Sequence, residues 1–383
     1  MSAESADVIR NLASEFEDFL RMDNGSEDEF NVAERTRKSV FRWSGQFTPE
    51  LAGMLLGTYA KSNIAVLDPF CGSGTVLFEA AKRSLQCTGT DINPMAVEIS
   101  RAAEFCNMSD AARAKYFDNA EEMFSNAVMG FGESGMSQRK LSAKDYASIG
   151  GIIAAANPVL MRSILINVLM RLSSSKDSGT VDGLRSAFET HKNLIMQLPH
   201  SNAKCSVLLA DARNIPLQSS SADLILTSPP YPGVFEYSKN YKKATHLAGW
   251  RISDIARSEI GRIKGRGGRQ AAIVTYANDM IKALLEMRRV LKVSGRLILI
   301  AGREIGLGQG NLRLSALLYA LASGACGFKL EAMQQRQYTG RTGKRVTEDI
   351  MHLLPGAAPH NPEGNFAEEA ALLLYKHAQQ TEQ

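Results

Sequence analysis

The chain has 383 residues, of which 44% are hydrophobic, and a formal net charge of +4. This length suits one enlarged α/β domain, or one domain with a smaller module. No apolar run is long enough to span a membrane, and residues 1–28 are acidic, unlike a signal peptide. We therefore expect a cytoplasmic protein that does not bind a membrane.

The cysteines and histidines argue against a metal centre. The five cysteines include no C-x-x-C pair, and the six histidines are scattered along the chain. Structural zinc sites need closely spaced ligands of these two types. We expect no metal and a reducing compartment.

Composition and hydrophobic pattern divide the chain into four parts. The third part contains few strand signals and one strongly apolar helix, predicted over residues 159–172. It separates the second and third predicted strands, so we interpret it as a helical insertion. The insertion is either a target-recognition subdomain or a structural lid or dimer surface. The four parts are an acidic helical arm (1–35), the first half of an α/β domain (36–105), the helical insertion (106–202) and the second half of that domain (203–383).

A glycine turn follows the first predicted strand, at residues 64–67. The strand leads into Asp68, a Gly72-Ser73-Gly74 turn and an amphipathic helix, and Asp91 lies nineteen residues beyond Gly72 at the end of the next strand. This order is the first βαβ unit of a doubly wound sheet, in which the acid binds the hydroxyls of a ribose. The third glycine of a dinucleotide motif is absent, which disfavours a dinucleotide.

A proline turn follows a second apolar strand, predicted over residues 224–226. The turn reads Thr227-Ser-Pro-Pro-Tyr-Pro232. Its three prolines fix φ and remove three N–H donors, so it presents mainly acceptors beside an aromatic ring. Such a turn suits the exocyclic amino group of a flipped-out base, although it also fits an ordinary turn that closes a strand.

The remaining pattern completes a sheet. A helix is predicted over residues 271–290 and a buried strand over residues 295–302. Alternating segments at residues 328–338 and 370–375 are predicted as the last antiparallel strands.

Together these segments resemble the amino-group (N4-cytosine and N6-adenine) DNA methyltransferases. Asp68-Pro-Phe-Cys-Gly-Ser-Gly74 is similar to the S-adenosylmethionine motif of that family, and Thr227-Ser-Pro-Pro-Tyr231 to its catalytic motif. Segments at residues 47–51 and 209–213 resemble two further cofactor-contacting segments. The resemblance implies a Rossmann-like methyltransferase sheet and covers roughly residues 40–105 and 203–303.

The resemblance also implies roles for single residues. Ser228 and the Pro229 carbonyl would accept the amino hydrogens of the target, with Pro230 in the same turn, and Tyr231 would stack on the flipped base. Asp91 would bind the ribose. The S-adenosylmethionine site as a whole would comprise Phe47, Thr48, Asp68, Phe70, Gly72, Ser73, Gly74, Thr75, Asp91, Ile92, Asp211, Ala212 and Thr227. Asp211 is alternatively a simple turn acid, and Asp68 a capping acid.

A basic segment (residues 239–269) follows the proline turn. Nine Lys and Arg against two acidic residues give this segment a charge of +7, more than the whole chain carries. Such a segment binds a phosphate backbone by counterion release, unless it is only a solvated surface loop. We expect double-stranded DNA, or alternatively RNA, to contact Lys239, Lys242, Lys243, Arg262, Lys264, Arg266 and Arg269.

The sequence restricts the candidate target atoms in the base. Methylation at cytosine C5 needs a cysteine nucleophile, usually after a proline, and the chain has no Pro-Cys dipeptide. On the family pattern, Ser228 favours cytosine N4 over adenine N6. Guanine-N2 methylation of RNA is a second enzyme hypothesis, and a non-catalytic cofactor- and nucleic-acid-binding protein is a third. A cognate restriction endonuclease is a possible partner.

Overall fold

A computed structural model describes residues 3–22, 48–132, 139–173, 179–233, 241–261, 268–306, 311–339, 345–357 and 365–380. Five residues of the expected site lie outside these ranges: Phe47, Lys239, Arg262, Lys264 and Arg266. Residues 23–35 of the predicted arm lie outside them as well.

The centre of the molecule is a seven-stranded sheet in the order β3-β2-β1-β4-β5-β9-β8. The five strands from β3 to β5 are parallel, whereas β9 is antiparallel to both β5 and β8. The predicted doubly wound Rossmann-like sheet is therefore confirmed, with an antiparallel pair at one edge. The strands are β1 (Ala65–Asp68), β2 (Gln86–Asp91), β3 (Cys205–Leu209), β4 (Ala222–Thr227), β5 (Leu291–Gly302), β8 (Phe328–Thr339) and β9 (Arg345–Pro355), and a separate hairpin contains β6 (Glu304–Gly306) and β7 (Asn311–Arg313).

Helices cover both faces of the sheet. One face is covered by α2 (Pro49–Tyr59), α3 (Thr75–Lys82), α4 (Pro94–Ser100), the 3₁₀ helix Arg101–Asn107, the insertion helices α5 (Asp110–Ala127), α6 (Ala143–Ala155), α7 (Val159–Ser173) and α8 (Val181–Met196), and α9 (Lys242–Leu247). The other face is covered by α1 (Ala3–Met22), α11 (Gly268–Val290), α12 (Leu314–Gly324) and α13 (Phe366–Gln380), while α10 (Ile252–Ser258) precedes the end of the basic segment.

Two hydrophobic cores follow from strand alternation. In β1, Val66 enters one core and Leu67 the other, and in β4 Leu224 and Ile225 divide in the same way. Successive side chains of a strand point to opposite faces, so a sheet that is buried on both sides reads as a continuous apolar run. The short apolar runs in the sequence are therefore strands of a three-layer α/β/α sandwich.

The predicted helical insertion is present between β2 and β3. Its helix α7 packs on α4, where Ser163 Oγ and Asn167 Nδ2 donate to the Glu98 carbonyl at 2.9 and 2.7 Å. The apolar side chains of α5 to α8 belong to the same core as Val66 of β1 and Leu224 of β4. The insertion thus enlarges one core of the domain.

The prediction of a strand at residues 370–375 was wrong. Residues 370–375 lie in helix α13, where Ala367, Ala370, Ala371 and Leu374 are buried at the three- and four-residue spacing of a helix. The strand that pairs with β8 is β9, which precedes this helix along the chain.

The amino-terminal helix α1 packs on the carboxyl-terminal half of the chain. Ile9 and Phe16 are fully buried in the second core, and the Phe16 ring lies 5.6 Å from that of Tyr319 in α12, centroid to centroid. Within the described residues, no helix is long and apolar enough to cross a membrane.

Arg113 ties the insertion to the segment that enters β3. Its guanidinium is fully buried and donates to the carbonyls of Phe105 at 2.8 Å, Ile195 at 3.4 Å and Pro199 at 3.0 Å. We predict that Arg113→Met lowers the free energy of unfolding by about 2–4 kcal/mol, because buried carbonyls lose their donors. Denaturant unfolding measures this, with exposed Lys115→Met on the same helix as the control. Equal stability of the two variants contradicts the prediction.

Candidate functional site

The two motifs meet at the carboxyl edge of the sheet, because β1 and β4 are parallel neighbours. The Thr227 hydroxyl donates to Asp68 Oδ1 at 2.6 Å, and the Phe70 N–H donates to the same oxygen at 3.2 Å. Asp68 is 3% exposed and Thr227 is fully buried. The glycine turn (residues 68–74) and the proline turn (residues 227–232) are therefore joined by a short buried hydrogen bond.

The glycine turn is closed by Asp91 at the end of β2. Its carboxylate accepts from the Gly72 N–H at 3.0 Å and from the Asn93 N–H at 2.8 Å. Gly72 and Gly74 have φ of +49° and +79°, and a Cβ on Gly74 would lie 2.9 Å from the Ser100 Cα. Only glycine fits position 74 without strain. Ser73 is buried and Thr75 begins α3, whose first turn receives no side-chain cap.

Two carboxyl groups in this site are held in an environment that disfavours their charge. Burial raises the pKa of Asp68 to about 7, and the hydrogen bonds from Thr227 and Phe70 oppose that rise. Burial also raises the pKa of Asp91 to about 6, against its hydrogen bonds from backbone N–H groups. A cation placed between them would favour the ionised forms of both.

Asp211 follows Ala210, whose N–H donates to the Asp91 carbonyl at 3.0 Å. Both carboxylate oxygens of Asp211 accept from Arg213, the shortest bond being 2.7 Å from Nη2. Arg213 also pairs with Asp279 of α11 at 2.9 Å. Since each carboxylate oxygen has a second lone pair, the expected contact of Asp211 with the cofactor's adenine stays a prediction.

Other expected cofactor residues surround these groups. Thr48 caps α2 by accepting from the Leu51 N–H at 3.3 Å, Phe70 and Ile92 are half-buried, and Ala212 is buried in the second core. Among the described residues, no cluster of three or more His, Cys, Asp or Glu side chains is arranged to hold a metal ion.

The proline turn presents a serine and holds a tyrosine. Ser228 is half-buried, and its hydroxyl has no hydrogen-bond partner among the described residues, while Pro229 is buried and Pro230 half-buried. The Tyr231 hydroxyl accepts from the Gly302 N–H at 2.7 Å. The acceptor-rich turn predicted from the prolines therefore includes a half-buried hydroxyl.

Within the basic segment, Gly261 contacts the proline turn. The Gly233 N–H donates to the Gly261 carbonyl at 2.9 Å, and a Cβ on Gly261, whose φ is +83°, would lie 3.2 Å from the Pro232 Cα. Gly261 therefore lies next to the proline turn, and Arg269 lies in the first turn of α11.

The first half of the basic segment contacts the insertion. Lys242 and Lys243 are exposed on α9, and the Lys243 ammonium lies 3.5 Å from the centroid of the Tyr146 ring in α6. The Arg162 guanidinium of α7 donates to the Ala248 carbonyl at 2.9 Å. The insertion thus supports the chain that leaves the proline turn.

Three polar residues at this edge were missed from the sequence. Asn93 accepts from the Met95 N–H to cap α4, and its Nδ2 donates to Glu259 at 3.1 Å, just before the turn at Gly261. The Asn-Pro pair was a readable helix-start signal. Glu259 and Glu348 of β9, which accepts from the Tyr231 hydroxyl at 3.4 Å, carried no signal, because only the tertiary fold brings them to the site.

A family model matches the amino-terminal part of the chain. Residues 16–102 match the N6/N4 family model described as DNA methylase. The tRNA (guanine(10)-N2)-dimethyltransferase of Methanothermobacter thermautotrophicus is 36% identical over 77 residues, which are 20% of this chain and 23% of that protein. The chain therefore spans about a quarter of the length of this curated relative.

Among solved structures, TrmN from Thermus thermophilus is 16% identical, with a TM-score of 0.36 over 82% of this chain and 50% of that chain. The rRNA methyltransferase aviRa from Streptomyces viridochromogenes is 12% identical, with a TM-score of 0.36 over 92% of this chain and 98% of that chain.

The site is chemically suited to S-adenosylmethionine. The Asp68 and Asp91 carboxyls match a ligand that carries an ammonium group, a positive sulfur and ribose hydroxyls. The uncapped amino terminus of α3 offers N–H groups to a carboxylate. Both features lie within the residues that match the DNA methylase model, and S-adenosylmethionine is the cofactor of this chain.

We predict that affinity for S-adenosylmethionine rises with pH. Asp68 and Asp91 have pKa values of about 7 and 6, so both are protonated at pH 5 and ionised at pH 8. A cationic ligand binds better to the ionised site, so we expect the affinity to fall about tenfold or more as the pH drops from 8 to 5. Isothermal titration calorimetry measures it. Asp68→Asn should flatten the profile above pH 6, whereas the exposed control Asp118→Asn should not. A pH-independent affinity of the unaltered protein contradicts the prediction.

Proposed function

We propose that this chain is an S-adenosylmethionine-dependent methyltransferase that acts on the exocyclic amino group of a base in a nucleic acid. The observation that carries the proposal is the hydrogen bond of 2.6 Å from Thr227 to Asp68. It fixes an acceptor-rich turn directly against the loop that holds a methyl donor. Transfer between two bound groups depends mainly on such alignment.

The proline turn supplies what amine methylation needs. The lone pair of a base amine is delocalised into the ring, which makes the amine a poor nucleophile. In this proposal the Ser228 hydroxyl and the Pro229 carbonyl accept its two N–H groups, which favours a pyramidal nitrogen and exposes the lone pair. Bound S-adenosylmethionine supplies a methyl group on a positively charged sulfur. The Tyr231 ring offers a face on which an extruded base can stack.

DNA cytosine N4 is the target we favour. Ser228 stands at the first position of the turn, and the matching family model is described as DNA methylase. Adenine N6 in DNA uses the same chemistry. Guanine N2 in tRNA is the second candidate, because the curated relative modifies that atom and shares a stretch of 77 residues with this chain.

One incubation separates these targets. Unmethylated DNA and unmodified tRNA are each incubated with the protein and isotope-labelled S-adenosylmethionine, and the digested nucleosides are analysed by mass spectrometry. We expect label in N4-methylcytosine from DNA. Label in N6-methyladenine or N2-methylguanine would reassign the target, and no label in any nucleoside contradicts the proposed function.

We predict that Ser228→Ala lowers the rate of methyl transfer about 100-fold, because one acceptor of the amine is lost. Affinity for S-adenosylmethionine should stay unchanged, since the glycine turn and Asp91 are intact. Rate and affinity are measured by filter binding with labelled cofactor and by calorimetry. The exposed Ser253→Ala, in α10, is the matched control. Full activity of the Ser228 variant would remove this residue from the reaction.

We predict that glutamine at positions 262, 264, 266 and 269 reduces the salt dependence of nucleic-acid binding. Each lost phosphate contact should lower the slope of log affinity against log salt by about one. Fluorescence anisotropy measures the slope between low and physiological salt. The control variant has glutamine in place of the exposed Lys61, Lys204 and Lys329. These three lysines lie at the amino ends of β1, β3 and β8, on the edge of the sheet opposite the proline turn. Equal slopes for the two multiple variants contradict a role of the basic segment.

A further inference from the structure

A row of polar side chains crosses the antiparallel edge of the sheet beside the proline turn. Gly302 of β5 is paired with Glu348 of β9, and Glu348 is paired with Arg336 of β8. Glu348 and Arg336 are 5% and 4% exposed. Arg336 Nε donates to Glu348 Oε2 at 2.8 Å. A buried ion pair therefore joins the second and third strands counted from β4, the strand that ends in the proline turn.

The row is connected to that turn through Tyr231. Its hydroxyl accepts from the Gly302 N–H at 2.7 Å and donates to Glu348 Oε1 at 3.4 Å. The Tyr338 hydroxyl donates to the same Oε1 at 3.2 Å. One oxygen of Glu348 thus faces the guanidinium, while the other receives two tyrosine hydroxyls.

Gly302 also lies against the edge of the Tyr231 ring. A Cβ at this position would lie 3.1 Å from Tyr231 Cε2 and 3.5 Å from its hydroxyl oxygen. The ring is therefore in close contact with the backbone at the end of β5. This contact restricts rotation of the ring out of its plane, and the two hydrogen bonds of the hydroxyl fix the position of the far end of the side chain.

A gain in stability does not explain the buried ion pair between Glu348 and Arg336. Removing two charges from water costs about as much as their attraction returns, and an apolar pair of the same volume packs as well or better. A fixed carboxylate does what an apolar pair cannot, because it specifies where a neighbouring hydroxyl lies.

We propose that Glu348, held by Arg336, is a positioning residue that orients the Tyr231 ring to receive the target base. This inference rests on the proposed function. It gives the hydroxyl of Tyr231 a role that stacking alone does not require, since a phenylalanine ring would stack equally well. Glu348 acts through that hydroxyl and does not touch the reacting atoms.

A double-mutant cycle tests the coupling. Glu348→Gln should lower the single-turnover rate of methyl transfer about tenfold, with affinity for S-adenosylmethionine unchanged. In a Tyr231→Phe background, which lacks the hydroxyl, the same substitution should change the rate by less than about twofold. Equal losses in both backgrounds, or no loss in either, overturn the proposal.

Two further variants separate positioning from folding. Gly302→Ala leaves the ion pair intact but pushes on the ring, so it should lower the rate without lowering cofactor affinity. Glu331 of β8 pairs with Arg296 of β5, remote from the proline turn. Glu331→Gln should therefore leave the rate unchanged. A loss of rate with Glu331→Gln, or none with Gly302→Ala, points to a general effect of the sheet and counts against the proposal.

A readout that needs no methyl transfer distinguishes this inference from the proposed function. NMR relaxation of the protein labelled in its tyrosine rings reports how ordered the axis of the Tyr231 ring is. Glu348→Gln should lower the order of this axis, because the far end of the side chain loses a carboxylate acceptor, whereas Glu331→Gln should not. If the unaltered protein methylates no nucleic acid, the proposed function fails, yet the order of the ring axis still shows whether Glu348 fixes the ring. Equal order in all three proteins overturns the positioning role itself.

Discussion

The hydrogen bond between Thr227 and Asp68 is the constraint on which the site depends. It joins the ends of two adjacent parallel strands, each followed by a turn with its own chemistry. The carboxyl group is almost completely buried, so its remaining interactions must be satisfied by protein or by a ligand. A ligand that carries positive charge completes this environment. The same bond therefore serves both the fold, by closing the top of the sheet, and the proposed chemistry, by fixing the distance between the two turns.

The insertion contacts both the central sheet and α9 of the basic segment. Its helices share a core with the central strands, and α6 and α7 reach the chain that follows the proline turn through Lys243 over Tyr146 and Arg162 at Ala248. A cation over an aromatic ring and a charged hydrogen bond are directional contacts. They hold α9, the described start of the basic segment, against the insertion. The insertion therefore supports α9 structurally, and target recognition by this subdomain stays a prediction.

Local patterns predicted the parts of the site that are local in the chain. The glycine turn, Asp91 and the proline turn each follow a strand, and parallel strands bring their carboxyl ends to one edge, so their meeting could be inferred from order alone. Glu348, Arg336 and Glu259 could not be found in this way, because their partners are distant in sequence. Residues 370–375 were assigned to a strand because a short apolar run fits either period, and burial at three- and four-residue spacing decides for the helix. Arg213 illustrates a further limit, since no pattern indicated that it would occupy both oxygens of Asp211.

The order of the strands along the chain separates two tasks. The cofactor loop and its two carboxyl groups are complete within the first ninety or so residues, whereas the pair that holds Tyr231 comes from β8 and β9, close to the carboxyl end. On our proposals, the residues that receive the methyl donor and those that orient the acceptor are thus distant in the chain and meet only when the sheet closes. A nascent chain that has not yet added β8 and β9 contains the glycine turn and Asp91 but lacks Glu348 and Arg336. The groups that orient the acceptor are therefore synthesised after those that receive the donor.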